Sequence, residues 1–315
     1  MKIRIISVIL ALLMLACVFT GCDRIQKNDG LNIVCTIFPI YDWVKNIVGD
    51  AEGVRVSLLV SDGSDLHSYN ASADDMVTIS TCDILVMAGG DSDAWVESAL
   101  AQAKNEDILV LRLLEILDER QMAYAANEDS HHHDEDGACH HALDEHFWLS
   151  PKAALVLTRE INSALCEKNG ENSEEFTKNF KAYEAELVSL DALCAEGASR
   201  IDEPLVFADR FAFKYLFLDY NIPYVAAFSS CSADTDATFE TVKDLAAALD
   251  ATKAERIYVT EGAISGVAEA VIGASQRVNC QIIPINSMQS VTERDVKNGA
   301  SYLALMRENI EKLFE

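Results

Sequence analysis

The sequence predicts an α/β fold of two lobes, each with a mostly parallel sheet flanked by helices, joined by one long α-helix. Three observations predict it. Short β-like apolar runs alternate with helix-like ones from Leu31 onward, and a second series of the same kind begins near Pro204. Between them lies one amphipathic stretch longer than a crossover within a small lobe requires. A chain of 315 residues, 50% of them hydrophobic, can bury a core large enough for two such units.

Residues 1–21 read as a signal peptide: Lys2 and Arg4 precede an apolar run over 5–19 that is too short and wrongly flanked for a permanent span. Thr20 and Gly21 then precede Cys22, an arrangement that resembles the lipobox of bacterial lipoproteins and implies lipidation of Cys22. Ala16-Cys17 is the weaker alternative. Residues 22–30 would form the tether.

The N-terminal lobe is expected over 31–171. Its sheet is written in IVCTIF, VRVSLLV, DILVMAGG and DILVLRL, and its helices in YDWVKNIVG and DAWVESALAQAK. Ser150-Pro151, a capping serine with proline in the first turn, opens the helix AALVLTREINSAL. The connecting helix is expected over 172–200. Asn172 and Glu175 resemble a capping box, and Phe176, Phe180, Tyr183, Leu187, Leu190 and Cys194 recur at helical spacing, which at 1.5 Å per residue gives roughly 40 Å. The C-terminal lobe, 201–315, reads PLVFAD, RFAFKYLFLDY, PYVAAF, a helix near 236–249, RIYVTE, a helix near 263–277, QIIPIN and a final helix over 303–313.

A formal net charge of −26 argues against nucleic acid and anionic lipid surfaces as partners, and is compatible with capture of a cation. Setting aside Cys17 and Cys22, seven of the nine cysteines remain: Cys35, Cys82, Cys139, Cys166, Cys194, Cys231 and Cys280. They form no CxxC pair, so a zinc knuckle is excluded, while one or two disulfides of undetermined pairing stay open.

In open α/β sheets the loops leaving the carboxyl ends of strands line the ligand crevice. Several such loops carry metal-ligating side chains here: His67 in SDGSDLHSYN, His146 in DEHFWLSP, Asp209 beside Arg210 after PLVFA, Glu261 closing RIYVTE, and Asn286 in PINSMQ. His67 and His146 are the sharpest pair, since neutral imidazole is a preferred zinc ligand and neither lies on an apolar helix face. His131, His132, His133, His140 and His141, within the His-rich loop 129–145, are interleaved with acids and lack apolar periodicity. They are expected to form a disordered surface loop that collects cations at low affinity.

At these residues the chain resembles the cluster A-I zinc and manganese substrate-binding lipoproteins of bacterial metal ABC transporters, from Asn32 to the C-terminus. DLHSYNASADDM is similar to the family segment in which a histidine follows the second strand and a tyrosine trails it. DEHFWLSP is similar to the DPHxWLxP-type segment that holds the second histidine. The resemblance implies that His67 and His146 are metal ligands and that the cargo is Zn²⁺, or less readily Mn²⁺. It further implies a chain that is no enzyme, is lipid-anchored outside the cytoplasm as a monomer, and delivers to an ABC permease and its ATPase.

The family's third ligand lies in a segment of the form H/E-x-A-F-x-Y, which here reads Arg210-Phe211-Ala212-Phe213-Lys214-Tyr215. Arginine offers only donors and cannot bind a cation directly. Asp209 is the substitute, with Arg210 orienting a carboxylate from behind. The family's fourth position falls on Asn286, with Glu261 as a further carboxylate. Three rivals follow from this departure: the same fold carrying manganese or another metal, a secreted zinc-dependent hydrolase, and a surface adhesin. Against the hydrolase, no HExxH is present, and His141 to His146 reads H-x-x-x-E-H, one residue too long for the inverted zincin motif.

Overall fold

The computed structural model of the protein describes residues 30–61, 63–64, 66–124, 143–228, 237–252, 254–262, 266–277 and 279–314, with the backbone alone at 132–133 and 139–140. The signal peptide, Cys22, the tether up to residue 29, and the side chains of His131, His132, His133, His140 and His141 lie outside the described residues.

The N-terminal lobe runs β1 (Leu31–Cys35), α1 (Phe38–Val48), β2 (Val54–Leu58), α2 (Ala73–Thr81), β3 (Ile84–Met87), α3 (Ala94–Leu100), β4 (Leu109–Arg112) and α4 (Leu113–Glu119). Two dipeptides, β5 (His132–His133) and β6 (Cys139–His140), pair antiparallel before α5 (Pro151–Lys168). Then come the long helix α6 (Ser173–Ala198) and the C-terminal lobe: β7 (Leu205–Phe207), α7 (Lys214–Asp219), β8 (Tyr224–Ala226), α8 (Phe239–Ala251), β9 (Arg256–Thr260), α9 (Gly266–Ala274), β10 (Gln281–Ile285), α10 (Glu293–Lys297) and α11 (Tyr302–Phe314). The first sheet has the order β2-β1-β3-β4 and the second β10-β9-β7-β8, both parallel throughout. Pro284 interrupts no ladder because β10 is an edge strand.

Strand side chains alternate between two cores, as the two-residue period requires. In the N-terminal lobe Ile33, Cys35, Ile84 and Val86 face a large central core, while Val34, Leu85 and Met87 face a smaller one under α2 and α3. In the C-terminal lobe Leu205, Phe207 and Tyr258 join that same central core, while Val206, Ile257 and Val259 pack outward under α8 and α9. One continuous core therefore joins the lobes. The buried face of α6, with Phe176, Phe180, Tyr183, Leu187, Leu190 and Cys194, lies within it.

Local chemistry sets several element ends. Ser150 caps α5, accepting from the Ala153 N–H at 3.3 Å. The expected capping box at Asn172 does not form: a 3₁₀ turn at Gly170–Asn172 leads directly into α6, and the Asn169 side chain instead accepts the Asn172 N–H at 3.2 Å. True capping boxes open two helices that periodicity does not reveal, Ser72 with Asp75 at α2 and Thr292 with Asp295 at α10. The five described cysteines form no disulfide, and burial pushes the thiols of Cys82 and Cys194 up to about 12. Such thiols are inert packing residues.

Polar contacts lock the lobes together around α6. Asp42 of α1 accepts from the Tyr302 N–H at 3.2 Å and the Tyr183 hydroxyl at 3.4 Å, while Tyr302 donates its own hydroxyl to the Trp148 carbonyl at 2.8 Å. Asp219, at the end of α7, receives the hydroxyls of Tyr124 and Ser150, and its carbonyl receives Lys152 Nζ at 2.6 Å. Burial pushes the Asp42 carboxyl up to about 6, against the lowering effect of its hydrogen bonds. A carboxyl that is a weaker acid folded than unfolded stabilises most below its unfolded value, and that stability is lost as pH rises through about 6. Asp42→Asn keeps an oxygen for the Tyr302 N–H, so it should be more stable than wild type at pH 7.5 and lose that advantage at pH 4. Urea unfolding at the two pH values measures this; an advantage that does not change with pH contradicts it.

Candidate metal site

His67 sits in a 3₁₀ turn, Leu66–Ser68, beyond the carboxyl end of β2. The turn is anchored from below, where the buried Leu66 side chain enters the central core. It is anchored from the side by Tyr69, whose hydroxyl donates to Asp75 at 2.8 Å and lies 3.3 Å from the Leu59 carbonyl. His146 precedes a second 3₁₀ turn, Phe147–Leu149, whose three side chains are fully buried, so the chain has little freedom on either side of it. His146 itself is buried, packed at 5.2 Å between ring centroids against Trp148.

The two imidazoles meet with Nε2 against Nε2 at 3.2 Å and ring centroids 5.3 Å apart. Each Nδ1 has another contact. His146 Nδ1 lies 3.0 Å from Asp144 Oδ1, the same oxygen that accepts the His146 backbone N–H at 2.9 Å. A carboxylate on Nδ1 puts the ring proton there and turns the Nε2 lone pair outward, the arrangement in which histidine binds a metal. His67 Nδ1 lies 2.8 Å from Ser92 Oγ, on a 3₁₀ turn beyond the carboxyl end of β3. The next residue, Asp93, is fully buried: it accepts from the Gly89 N–H at 3.0 Å and Thr36 Oγ1 at 3.1 Å, and burial pushes its carboxyl up to about 6.

The C-terminal lobe's predicted site residues are held elsewhere. Asp209 Oδ2 accepts the Thr260 N–H at 3.2 Å, and the Arg210 carbonyl accepts the Thr260 hydroxyl at 3.1 Å. Glu261 receives both the Ser287 N–H and hydroxyl, at 2.6 and 2.8 Å. Asn286 folds back on its own loop, its Oδ1 accepting from the Met288 N–H at 2.8 Å. Glu261 and Asn286 line one cavity of about 430 Å³ together with Asp295 and Asn298. Among the described residues no group of three or more His, Cys, Asp or Glu side chains is set to hold a metal ion, so the structure unites the histidine pair but not the five-residue set. Sequence reasoning missed Asp144, Ser92 and Glu145. Only Asp144 leaves a signal, an acid two residues before a histidine.

Two parallel-sheet lobes on one continuous helix, with paired imidazoles at strand ends, define a two-lobed solute-binding protein. The comparisons with known proteins agree. The chain belongs to the ZnuA family, zinc-uptake complex component A, periplasmic, whose model matches residues 33–315. It is a family of transport components, not of enzymes. The chain is 30% identical over 311 residues to the zinc-binding lipoprotein AdcA of Streptococcus pneumoniae, covering 98% of this chain but 60% of that protein's length. It is 26% identical over 291 residues to the high-affinity zinc uptake system protein ZnuA of Bacillus subtilis, covering 91% of this chain and 88% of that one. The crystal structure of the Zn(II)-bound ZnuA-like domain of S. pneumoniae AdcA superposes with a TM-score of 0.68 at 27% identity, covering 91% of this chain and 100% of that domain.

Proposed function

We propose that this protein captures Zn²⁺ outside the cytoplasm and delivers it to an ABC permease and its ATPase. The observation that carries the reading is the His67–His146 pair, with Nε2 atoms converging at 3.2 Å and Nδ1 atoms held by Asp144 and Ser92. Zinc favours such a nitrogen pair, whereas manganese favours oxygen-rich sets. The names of the relatives, zinc-binding lipoprotein and zinc uptake protein, support the same cargo.

The remaining donors are oxygens drawn from Asp209, Glu261 and Asn286, brought to the imidazoles as the C-terminal lobe rocks inward, with Arg210 orienting a carboxylate. The shared core and the Asp42 and Asp219 contacts limit that closure to a small movement. The domain limits are those of the sequence: signal to residue 21, tether 22–30, lobes 31–171 and 201–315, and connecting helix 172–200. The protein is anchored as a monomer through lipidated Cys22; no helix of the described residues is long and apolar enough to cross a membrane. The histidines of 129–145 act as the low-affinity collector.

Competitive calorimetric titration tests the cargo. Zn²⁺ should bind one high-affinity site per chain and resist displacement there by excess Mn²⁺. Preferential retention of Mn²⁺, or zinc-dependent turnover of an ester or peptide, would overturn the reading.

A further inference from the structure

The imidazole pair belongs to a closed ring of contacts. His146 Nε2 meets His67 Nε2 at 3.2 Å, His67 Nδ1 meets Ser92 Oγ at 2.8 Å, and the Ser92 N–H donates to Glu145 Oε1 at 3.0 Å. Glu145 is covalently joined to His146, which closes the circuit. We propose that Ser92 and Glu145 are positioning residues for the metal: Glu145 fixes the backbone of Ser92, and Ser92 Oγ steadies His67 Nδ1, donating to it while the His67 Nε2–H meets His146 Nε2 and accepting the Nδ1–H once a cation replaces that proton between the rings. This inference deepens the zinc-binding reading and rests on it.

The loop is shaped around the Glu145 carboxylate. Gly90 has a φ of +85°, and a Cβ there would fall 2.6 Å from Glu145 Oε1, so both the backbone conformation and the close approach require glycine. Ser92 is thereby held from two sides: its N–H by Glu145, and the residue after it by the fully buried Asp93 on Thr36 and Gly89. Glu145 is itself buried, and its Oε2 has no hydrogen-bond partner among the described residues. A buried carboxylate with one oxygen unsatisfied is a costly structural element, since burying charge is unfavourable unless it is well paired. Its one strong bond is the charge-assisted one that places Ser92.

The tautomer is what this arrangement controls. A neutral imidazole carries a single N–H, and only a ring protonated at Nδ1 offers Nε2 to a cation. His146 has a carboxylate for that purpose, so in the metal-free pair His67 is the Nε2–H donor; the Ser92 hydroxyl, both donor and acceptor, serves His67 in either tautomer provided the serine cannot swing away. Because Glu145 is continuous with His146, the same contact ties one imidazole's support to the other's backbone.

The test uses the full chain with Ser92→Ala, Ser92→Thr, Glu145→Ala, the Ser92→Ala/Glu145→Ala pair, and His67→Ala as reference. Zn²⁺ affinity is read by chelator competition, and the His67 Nδ1–H hydrogen bond by its protection from exchange in long-range ¹H–¹⁵N spectra of the zinc-loaded protein. We expect Ser92→Ala to lose roughly tenfold in affinity, the size typical of groups that orient a ligating histidine, and to lose the protected Nδ1–H signal. Ser92→Thr should restore both. The double variant should be no weaker than the poorer single one, because the two residues act in series. Wild-type affinity and an unchanged Nδ1–H signal in Ser92→Ala, with binding by His67→Ala still weakened, would overturn the proposal, as would simply additive losses in the double variant. Undiminished zinc binding by His67→Ala would overturn the underlying site reading as well.

Discussion

Replacing His67 or His146 with alanine should lower Zn²⁺ affinity at least about tenfold, and more if no water takes the vacated place. The two nitrogens approach to 3.2 Å, so a cation between them must part them slightly. Among the described residues no third His, Cys, Asp or Glu stands with the pair ready to replace a lost nitrogen. His146→Ala should be the more damaging, because His146 is buried against Trp148 and its loss also leaves the buried Asp144 Oδ1 with the backbone N–H of residue 146 but without the imidazole. Deleting residues 129–142 should leave this high-affinity binding nearly intact. Calorimetric titration of the three variants decides the matter: unchanged affinity in both point variants would remove the site from these residues, and collapse of affinity on deletion would move it into the histidine-rich segment.

The sequence made the fold legible because its central parallel strands are buried on both faces and so appear as short apolar runs, and because one face of α6 is apolar along its whole length. The helices α2 and α10 escaped because they are short and amphipathic patterns need more turns to stand out; their capping boxes were the better signal. The histidine pair was readable, since both residues stand on loops beyond strand ends. Its supports were not. Ser92 and Glu145 are separated by more than fifty residues and come together only through the packing of the β3 turn on the segment before α5, which no local pattern encodes. Asp209, Glu261 and Asn286 read as ligands from their strand-end positions and from the family's third and fourth ligand positions that they neighbour or match. Each proves to have a local hydrogen-bonding task as well, and sequence cannot rank a carboxylate's competing partners.

Trp148→Ala should be among the most destabilising single changes and should also weaken zinc binding. The indole is fully buried between the lobes, against Phe147 at 5.6 Å and His146 at 5.2 Å, and its Nε1–H donates to the Ser287 carbonyl at 2.9 Å. Its own carbonyl receives the buried Tyr302 hydroxyl. Truncation to alanine removes the ring from a packed core and strands the Ser287 acceptor, a loss of about 3–5 kcal/mol. Trp148→Phe keeps most of the volume and sacrifices chiefly the hydrogen bond, about 1–2 kcal/mol. Ser287 also carries the Glu261 carboxylate, so releasing it loosens the C-terminal side of the cleft, while the vacated space lets His146 rotate away from His67. Urea unfolding and zinc titration on the same variants separate these effects. If Trp148→Phe lost stability but kept full zinc affinity while Trp148→Ala lost both, the ring's packing on His146 would be what serves the site. If both bound zinc like wild type, the lobe interface would contribute to folding alone, and the coupling drawn here between interface and site would be wrong.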